Sequence, residues 1–311
     1  MNLTPVKLIP SCKEYLWAGT RLKKEFGIET DLEKIAETWE FSAHKDGESI
    51  IKDGESKGMS FPEYIEKNGK ECIGSNAAAF EFFPILIKFI DAGDKLSIQV
   101  HPSDEYALEH EGEYGKTEMW YVMDCDEGSY LYYGFNRTIS REEFAKRIEE
   151  NTLLEVLNKV EIKPGDVFFI ESGTIHAIGK GALICEIQQN SNTTYRVYDY
   201  NRRDKNGNLR ELHVNKAIDV TDLNPPKEYH INGNNLAECK YFTVDKYSCN
   251  GEVKIPISDK SFKSLIIISG EGSLKINNDE MPIKKGDSIF VPAQNAEITV
   301  SGLCDIIVSY V

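Results

Sequence analysis

Alternating apolar and polar positions run through the middle and the end of the chain, and they predict short β-strands separated by turns. From about residue 82, ILIKFIDAGDKLSIQVHP, TEMWYVMDC and GSYLYYGF each join β-branched or aromatic residues to flanking turn residues. Strand patterns resume in VEIKPGDVFFIESGTIHAI and ALICEIQQNSNTTYRVYDY, and short strands and turns fill the chain from about residue 235. The pattern therefore predicts a mainly-β fold.

Helical spacing is confined to a few short segments. Near the start of the chain, DLEKIAETWEF has helical spacing, and FPEYIEKNGKECIG reads as a short helix closed by Gly74. A further helix should begin at Ser140, where SREE offers a capping box and Phe144 and Ile148 follow four residues apart. We expect a few helices near the N-terminus and one inserted among the later strands.

An internal repeat indicates two related β-barrels. EIKPGDVFFIESGTIHAI (161–178) aligns without a gap on PIKKGDSIFVPAQNAEIT (282–299), so that the Gly-Asp turns coincide and His176 falls on Glu297. Duplicated barrels are the simplest source of such a pair. Because the second copy lacks the histidine, any chemistry should reside in the first.

The best candidate for a linker is TDLNPPKEYHING, around Pro225 and Pro226. It divides the chain into a predicted catalytic domain at 1–224, which includes the N-terminal helical and irregular segment, and a degenerate domain at 225–311. We expect the second domain to pack against the first barrel.

Composition and charge narrow the function. A net charge of −15 over 311 residues disfavours binding to nucleic acid or to an anionic membrane, but a local basic pocket can still bind a small phosphorylated ligand. The N-terminal residues lack the pattern of a signal peptide, and no window has the apolar length of a membrane span. Seven cysteines without a CxxC pair indicate free thiols, so we expect a cytoplasmic protein.

Polar residues at strand spacing predict a metal site. Gln99 and His101 lie two residues apart on a predicted strand, and their side chains should share a face. Lys116 and Glu118 repeat that spacing on the next strand, and His176 follows a turn. Two imidazoles, a carboxylate and an amide oxygen suit a divalent ion at a reactive site; zinc fits best because nothing indicates redox chemistry, although manganese or iron would accept the same ligands.

Several sequence blocks resemble a known family. GDVFFIESGTIH matches the second histidine motif of the cupin superfamily, except that Glu171 stands where proline is usual. The chain as a whole resembles the short bacterial form of type I phosphomannose isomerase, with Ala18 at a usual glycine. The matching blocks are LWAGTRL (16–22), AETWEFSAH (36–44), LSIQVHPSDEYA (96–107), GKTEMWYV (115–122), SGTIHAI (172–178) and TYRVYDYNR (194–202).

The resemblance implies roles for individual residues. It implies two cupin-like β-barrels (jelly rolls) and one zinc ion per chain, with ligands at Gln99, His101, Glu118 and His176. Residues implied to line the sugar-phosphate pocket are Trp17, Ser97, Lys116 and Glu186, and the catalytic arginine aligns with Arg196. On spacing alone, Arg196 would instead be a strand residue that pairs with Asp199 or Glu186.

The implied reaction interconverts mannose 6-phosphate and fructose 6-phosphate by proton transfer through an enediol(ate). Lys116 and Glu186 both remain candidates for the proton transfer, and Arg196 would stabilise either the enediolate or the phosphate. Arg202, Arg203 and Lys205 either attract that phosphate or form a solvated turn. The alternatives are another metal-dependent cupin enzyme acting on sugars and a non-catalytic sugar-binding cupin; the oligomeric state stays open.

Overall fold

The computed structural model describes residues 3–203 and 206–311 of the chain. Strands of the first two thirds are β1 (Val6–Ile9), β2 (Ser11–Lys13), β3 (Glu37–Phe41), β4 (Ile50–Ile51), β5 (Ile85–Asp91), β6 (Ile98–Val100), β7 (Glu118–Cys125), β8 (Tyr130–Phe135), β9 (Leu157–Glu161), β10 (Val167–Ile170), β11 (His176–Ile178), β12 (Ala182–Gln189) and β13 (Tyr195–Tyr198). Strands of the last third are β14 (Asn235–Glu238), β15 (Thr243–Ile257), β16 (Lys263–Ile276), β17 (Asp279–Lys284), β18 (Ser288–Val291) and β19 (Ala296–Tyr310). The mainly-β fold is confirmed.

Helices are few and short. They are α1 (Arg21–Phe26), α2 (Phe61–Asn68), α3 (Gly74–Ala78), α4 (Asp104–His110), α5 (Arg141–Glu149) and α6 (Val214–Val220), with 3₁₀ turns at Lys70–Ile73 and Leu153–Glu155. Within the described ranges, no helix has both the length and the apolar character that crossing a bilayer requires. The seven cysteines are free thiols.

Two facing antiparallel sheets form the first barrel. The six-stranded sheet has the order β10-β7-β12-β5-β3-β2, and the five-stranded sheet has the order β13-β6-β11-β8-β9. An apolar cluster that includes Trp17, Leu131 and Ile184 fills part of the space between them. Helices α5 and α6 cover the outer face of the five-stranded sheet, where Ile98 and Val100 point. The barrel therefore has a closed interior in which polar side chains are held away from water.

Strand β5 shows how the sequence builds this interior. All seven of its residues are buried, because β12 and β3 pair with its two edges and both of its faces are covered. Since side chains alternate along a strand, Ile87 and Phe89 project outward from the barrel while Lys88 between them projects inward. Strand β5 thus places the Lys88 ammonium group inside the barrel, although its other buried residues are mostly apolar.

The C-terminal part packs against the outer face of the six-stranded sheet. Its own sheet has the order β14-β15-β19-β16-β18-β1-β4, with β17 beside β16, and it encloses a separate apolar core. A continuous aromatic cluster that includes Phe41, Phe61, Phe262 and Phe290 joins the two parts. Because β1 and β4 hydrogen-bond to the C-terminal sheet, the N-terminal segment contributes to both parts. The division into 1–224 and 225–311 stays a prediction.

The predicted repeat has the same local geometry in both copies. Asp166 accepts a hydrogen bond from the Lys163 amide (2.9 Å), and Asp287 accepts one from the Lys284 amide (3.0 Å). The glycine before each aspartate has a positive φ, at 92° and 89°, which favours glycine at both turns. The copies differ beyond the turn, where His176 is buried and Glu297 is an exposed partner of Lys254. The second copy therefore keeps the turn without the interior polar group.

One predicted helix is wrong, and a second is present but ends earlier than predicted. The segment ETWEF is strand β3, because its pairing with β2 and β5 outweighs a weak helical spacing. The helix from Phe61 ends at Asn68, where Gly69 has a φ of 81°, and Gly74 begins the next helix. The helix predicted from Ser140 is confirmed, and the Ser140 hydroxyl accepts the Glu143 amide hydrogen.

Glu40 is a buried acid between the two parts of the molecule. The register of β3 against β5 shifts between Trp39 and Phe41, so Glu40 is the extra residue of a β-bulge. The Ser288 hydroxyl of the C-terminal sheet donates to the Glu40 carbonyl oxygen (2.8 Å), while both carboxyl oxygens lack a hydrogen-bond partner among the described residues. Burial, together with nearby Asp287, raises the pKa of Glu40 from 4.5 to about 8.

This acid predicts a stability that falls as pH rises. Between pH 4.5 and about 8, the unfolded chain has released the Glu40 proton and the folded chain has kept it. Each rise of one pH unit in this range therefore lowers the free energy of unfolding by roughly 1.4 kcal/mol. Glu40→Gln removes this term. The variant should match the native chain near pH 5 and exceed its stability by a few kcal/mol near pH 8, as measured by chemical denaturation across that range.

Glu55→Gln is the matched control, because Glu55 is exposed and should not change the pH dependence. Parallel pH profiles for the native chain and Glu40→Gln would show that Glu40 titrates like an ordinary surface acid.

Candidate metal centre and active site

Three strands bring the predicted metal ligands together inside the first barrel. His176 at the start of β11 pairs in register with Gln99 of β6, and His101 follows directly after β6. Glu118 begins β7 in the facing sheet. One ligand atom from each of His101, Glu118 and His176 lies within 4.8 Å of the others. All three residues are buried, so the convergence that the strand spacing predicted is present.

Backbone carbonyls fix the orientation of both histidines. The Nδ1 of His101 is 2.9 Å from the Thr193 carbonyl oxygen, and the Nδ1 of His176 is 2.8 Å from the Thr174 carbonyl oxygen. Each Nδ1 therefore carries the hydrogen, which leaves the lone pair on Nε2. These Nε2 atoms lie 3.6 Å and 3.3 Å from the Glu118 carboxylate oxygens. Such carbonyl support is typical of histidines that bind metal.

Gln99 completes the set from the neighbouring strand position. Its amide group lies 3.4 Å from the Nε2 of His176. Rotation of the amide by 180° exchanges the nitrogen and the oxygen with little change in shape, so this side chain can present an oxygen at the same place. Gln99 is thus positioned as a fourth donor beside the three clustered residues.

The unsatisfied polar atoms test whether these residues fit a cation. Among the described residues, the His101 Nε2 and both Glu118 oxygens are buried without a hydrogen-bond partner. Lys116 Nζ forms an ion pair with one of these Glu118 oxygens, but leaving the other oxygen and the His101 Nε2 without a partner is costly unless an ion or a water satisfies them. Two imidazole lone pairs and a carboxylate are the donors that zinc and similar divalent ions accept. The residues therefore fit a divalent metal.

A chain of alternating charges leads away from this cluster. Lys116 Nζ lies 3.1 Å from Glu118 and 3.8 Å from Glu186, and Lys88 Nζ lies 3.5 Å from Glu186 and 3.5 Å from Glu37. The Trp120 indole donates to the second oxygen of Glu186 (2.8 Å). These contacts hold Glu186 between two ammonium groups, next to the predicted metal ligands.

Burial and neighbouring charges set the protonation of the cluster. Burial lowers the pKa of His176 to about 4, and burial with nearby Lys116 lowers the pKa of His101 well below its usual value, so both imidazoles are neutral at pH 7. Burial and the charge of Glu186 raise the pKa of Glu118 to about 8. Burial would also raise the pKa of Glu186, but Lys116 and Lys88 outweigh it and lower that pKa.

A cavity of about 250 Å³ opens beside the metal cluster, a size that admits a small sugar derivative. The residues predicted to line a substrate pocket all contribute to its wall, as do the predicted catalytic arginine and one predicted metal ligand: Trp17, Ser97, Lys116, Glu186, Arg196 and Gln99. Lys88, Glu37 and Arg210 also line it, and the sequence analysis missed them. A single lysine within the apolar run ILIKFI was a usable signal for Lys88, since an unpaired charge in a buried strand is rare.

Arginines surround another part of the cavity wall. Arg196 donates to the Glu211 carbonyl oxygen, and its Nε has no partner in the part of the chain that the structure describes. Burial, with nearby Arg210, lowers its pKa without removing its charge. Asp199 is not the partner of Arg196; it binds Arg202 and Arg210 instead. The positive charge here therefore exceeds the negative charge, although the chain as a whole is acidic.

Arg202 and Arg203, two other residues of the predicted basic cluster, are not among the residues that line the cavity. Arg203 donates to the Gly207 carbonyl oxygen and is exposed, and Lys205 lies outside the described residues. Arg202 donates to the Lys95 carbonyl oxygen as well as to Asp199. The basic residues that line the cavity are therefore Arg196 and Arg210, and not Arg202 or Arg203 of the predicted cluster.

Comparison with known proteins identifies the family. Residues 6–129 match the model "Phosphomannose isomerase type I, catalytic domain", and residues 232–311 match "Mannose-6-phosphate isomerase, cupin domain". The chain is 40% identical to mannose-6-phosphate isomerase ManA of Bacillus subtilis over the full length of both, and 37% identical to the mannose-6-phosphate isomerase of Streptococcus mutans over 98% of each.

The fold agrees with that match. The crystal structure of the mannose 6-phosphate isomerase from Bacillus subtilis superposes with a TM-score of 0.91 at 38% identity, covering 99% of this chain and 100% of that one. The chain belongs to the type I phosphomannose isomerase family and is an enzyme, an aldose–ketose isomerase.

Proposed function

We propose that the chain interconverts mannose 6-phosphate and fructose 6-phosphate with the help of one zinc ion. The observation that carries this proposal is the cluster of His101, Glu118 and His176, whose unpaired ligand atoms lie beside a cavity with an excess of arginine charge. Family membership favours this reaction over the two alternatives, another metal-dependent cupin enzyme and a non-catalytic sugar-binding protein.

Gln99, His101, Glu118 and His176 would hold the ion. Zinc is preferred because imidazole and carboxylate ligands suit it and the reaction needs no change of oxidation state. When bound, it would polarise the substrate oxygens next to the carbon that loses its proton. The Nδ1 hydrogen bonds of the two histidines keep their Nε2 atoms aimed at the ion.

Glu186 is the proposed base. Its Oε1 has no hydrogen-bond partner within residues 3–203 and 206–311, its Oε2 is fixed by the Trp120 indole, and its lowered pKa keeps it a carboxylate at neutral pH. This oxygen can take the proton from C2 of the aldose and return it to C1. Lys116 lies between Glu186 and Glu118 and is suited to stabilise the negative charge of the enediolate. The other assignment, Lys116 as base, has less support because it contacts two carboxylates.

The phosphate of the substrate would bind at Arg196 and Arg210. Arg196 lacks a carboxylate partner within ion-pair distance among the described residues, and Arg210 is held by Asp199 through its Nε and one terminal nitrogen. A phosphate can therefore accept hydrogen bonds from both guanidinium groups. Trp17 and Ser97, which are buried in the same wall, would contact the sugar between the phosphate and the metal.

The metal ligands predict a joint loss of metal and activity. The purified native chain should contain about one zinc ion, and His101→Ala should lose most of it and reduce kcat/KM by roughly 100-fold or more. Metal analysis and an isomerase assay on the same samples measure both. His230→Ala, at an exposed histidine, is the control and should change neither. Full zinc content in His101→Ala would remove His101 from the ligand set.

Proton transfer through an enediol(ate) predicts isotope exchange with solvent. When mannose 6-phosphate reacts in D₂O, the fructose 6-phosphate formed early should carry deuterium at C1, because a proton on a carboxylate exchanges with water. NMR of the product measures this. Product that retains only the original hydrogen would show that the transferred hydrogen does not exchange with solvent, and so would contradict an exchangeable carboxylate proton as the intermediate.

Removal of the proposed base should slow the reaction without loss of metal. Glu186→Gln should lower kcat by roughly 10²- to 10⁴-fold, because the amide cannot accept the proton. Glu161→Gln, at an exposed position of strand β9, is the matched control and should leave kcat unchanged. Native kcat in Glu186→Gln would assign the proton transfer to another group, with Lys116 as the next candidate.

The arginine wall predicts a defect in binding rather than in metal content. Arg210→Gln should raise KM for mannose 6-phosphate about 10- to 100-fold, because a charge-assisted hydrogen bond to phosphate is lost. The zinc content should stay that of the native chain. Arg203→Gln changes an exposed arginine nearby and should leave KM unchanged. An unaltered KM in Arg210→Gln would place the phosphate elsewhere in the cavity.

A further inference from the structure

Lys116 and Glu118 lie at the end of a short segment that the sheet itself does not hold. Glu118 is the first residue of β7, and residues 115–117 before it form neither helix nor strand. The Lys116 ammonium group and the Glu118 carboxylate nevertheless have defined positions, 3.1 Å apart inside the barrel. The contacts that fix this segment therefore come from outside β7.

Asp104, which belongs to the sequence block LSIQVHPSDEYA, holds the near end of the segment. It is the first residue of α4, and its Oδ1 accepts the Gly115 amide hydrogen (2.9 Å). The Pro102 carbonyl oxygen accepts the Lys116 amide hydrogen (3.0 Å). A Cβ atom at Gly115 would overlap the backbone of Ser103 and Asp104, so this close approach requires glycine. The segment is thus held directly against the start of α4.

Gln189 links the same carboxylate oxygen to the next residue of the segment. Its Nε2 donates to the Asp104 Oδ1 (2.8 Å), and its Oε1 accepts the Thr117 amide hydrogen (2.8 Å). Its backbone amide donates to the Thr117 carbonyl oxygen (3.0 Å). Because a carboxylate only accepts hydrogen bonds, Asp104 fixes which end of the Gln189 amide faces it. Asp104 therefore sets how Gln189 holds the residue between Lys116 and Glu118.

The second oxygen of Asp104 is bound by the C-terminal part. Tyr241, which lies between β14 and β15, donates its hydroxyl hydrogen to the Asp104 Oδ2 (2.7 Å). Lys240 also approaches this oxygen, at 3.9 Å, but its side chain is largely exposed and contributes little. Hydrogen bonds to a carboxylate are stronger than those between neutral groups. One carboxylate thus joins the C-terminal part, α4 and the segment that precedes β7.

We propose that Asp104 is a positioning residue of the isomerase and that the C-terminal part supports it through Tyr241. In the described part of the chain, the wall of the catalytic cavity includes neither residue, so their effect passes through the positions of Lys116 and Glu118. The inference rests on the function proposed above for those two side chains. It gives the C-terminal part a share in catalysis, in addition to covering the six-stranded sheet.

Truncation and isosteric replacement of Asp104 test this role in steady-state assays with excess zinc. Asp104→Ala should lower kcat for mannose 6-phosphate roughly 10- to 100-fold, the usual effect of losing a group that orients an active-site residue. The KM should stay within about threefold, because the arginine wall that would bind the phosphate is untouched. Glu105→Ala removes the other acidic residue from the first turn of α4, and this matched control should change neither value.

Asp104→Asn should restore most of the activity. The amide oxygen can accept from Gly115 and Gln189 as the Oδ1 does now, and the amide nitrogen can donate to the Tyr241 hydroxyl oxygen. We expect a kcat within about threefold of the native value. A kcat as low as that of Asp104→Ala would overturn the proposal, because hydrogen-bond geometry would then not be what Asp104 supplies.

Tyr241→Phe is a milder change that removes one hydroxyl group. It should lower kcat about three- to fivefold, which is of the order of one net hydrogen bond. Combined with Asp104→Ala it should cause no further loss, because Tyr241 acts through Asp104 alone. Tyr247→Phe, at a tyrosine packed against the C-terminal core, is the control and should keep the native kcat.

Circular dichroism should show each variant folded at the assay temperature; if Asp104→Ala does not fold, Tyr241→Phe decides the outcome. Native kcat in Tyr241→Phe, native kcat in Asp104→Ala, or a change confined to KM would overturn the proposal. A zinc-loaded native chain without isomerase activity would instead contradict the proposed function itself. An active native chain with unaffected variants would overturn only the role of Asp104 and Tyr241.

Discussion

The burial of charge inside the first barrel is the constraint on which the rest of the structure depends. Lys88, Lys116, Glu118 and Glu186 are each no more than 4% exposed, so water contributes little to their solvation. Buried charges are tolerated only when opposite charges or hydrogen bonds lie next to them. The lysines and carboxylates alternate through the interior for this reason, and Glu37 extends the series. A divalent cation at the ligand cluster would favour the charged form of Glu118, whose pKa burial raises to about 8, and would satisfy the unpaired atoms.

The two related parts of the fold have different roles: the first barrel holds the buried charges, and the C-terminal part covers one of its sheets. Both copies of the repeat keep the same glycine–aspartate turn, which shows that the turn serves the barrel and not the chemistry. The C-terminal copy has an apolar core and packs its sheet against the first barrel. That packing covers the outer face of the six-stranded sheet, so the sheet can carry polar groups on its inner face and still be buried on both. Glu40, in the same interface, is the exception that makes stability depend on pH.

Much of the site was predictable because strand geometry is simple. Alternation along a strand put Gln99 and His101 on one face, and the family motifs added Glu118 and His176. Lys88 and Arg210 were missed because their surroundings depend on tertiary contacts. Packing of the C-terminal part on one face of β5 leaves the face with Lys88 inside the barrel, and a bond to Asp199 brings Arg210 to the cavity. The mistaken helix over ETWEF has a similar cause, since pairing with two neighbours overrides local spacing. The bulge at Glu40 leaves no mark in the sequence.

The central proposal is that four side chains from three strand segments bind one zinc ion inside the barrel. Anomalous X-ray diffraction measured above and below the zinc absorption edge, on crystals of the native chain, tests it most directly. We expect a single strong anomalous peak, bounded by the Nε2 atoms of His101 and His176 and by a Glu118 oxygen. The Gln99 amide oxygen should be turned toward this peak. A zinc peak at any other group of residues, or a peak here from which Gln99 points away, would contradict it.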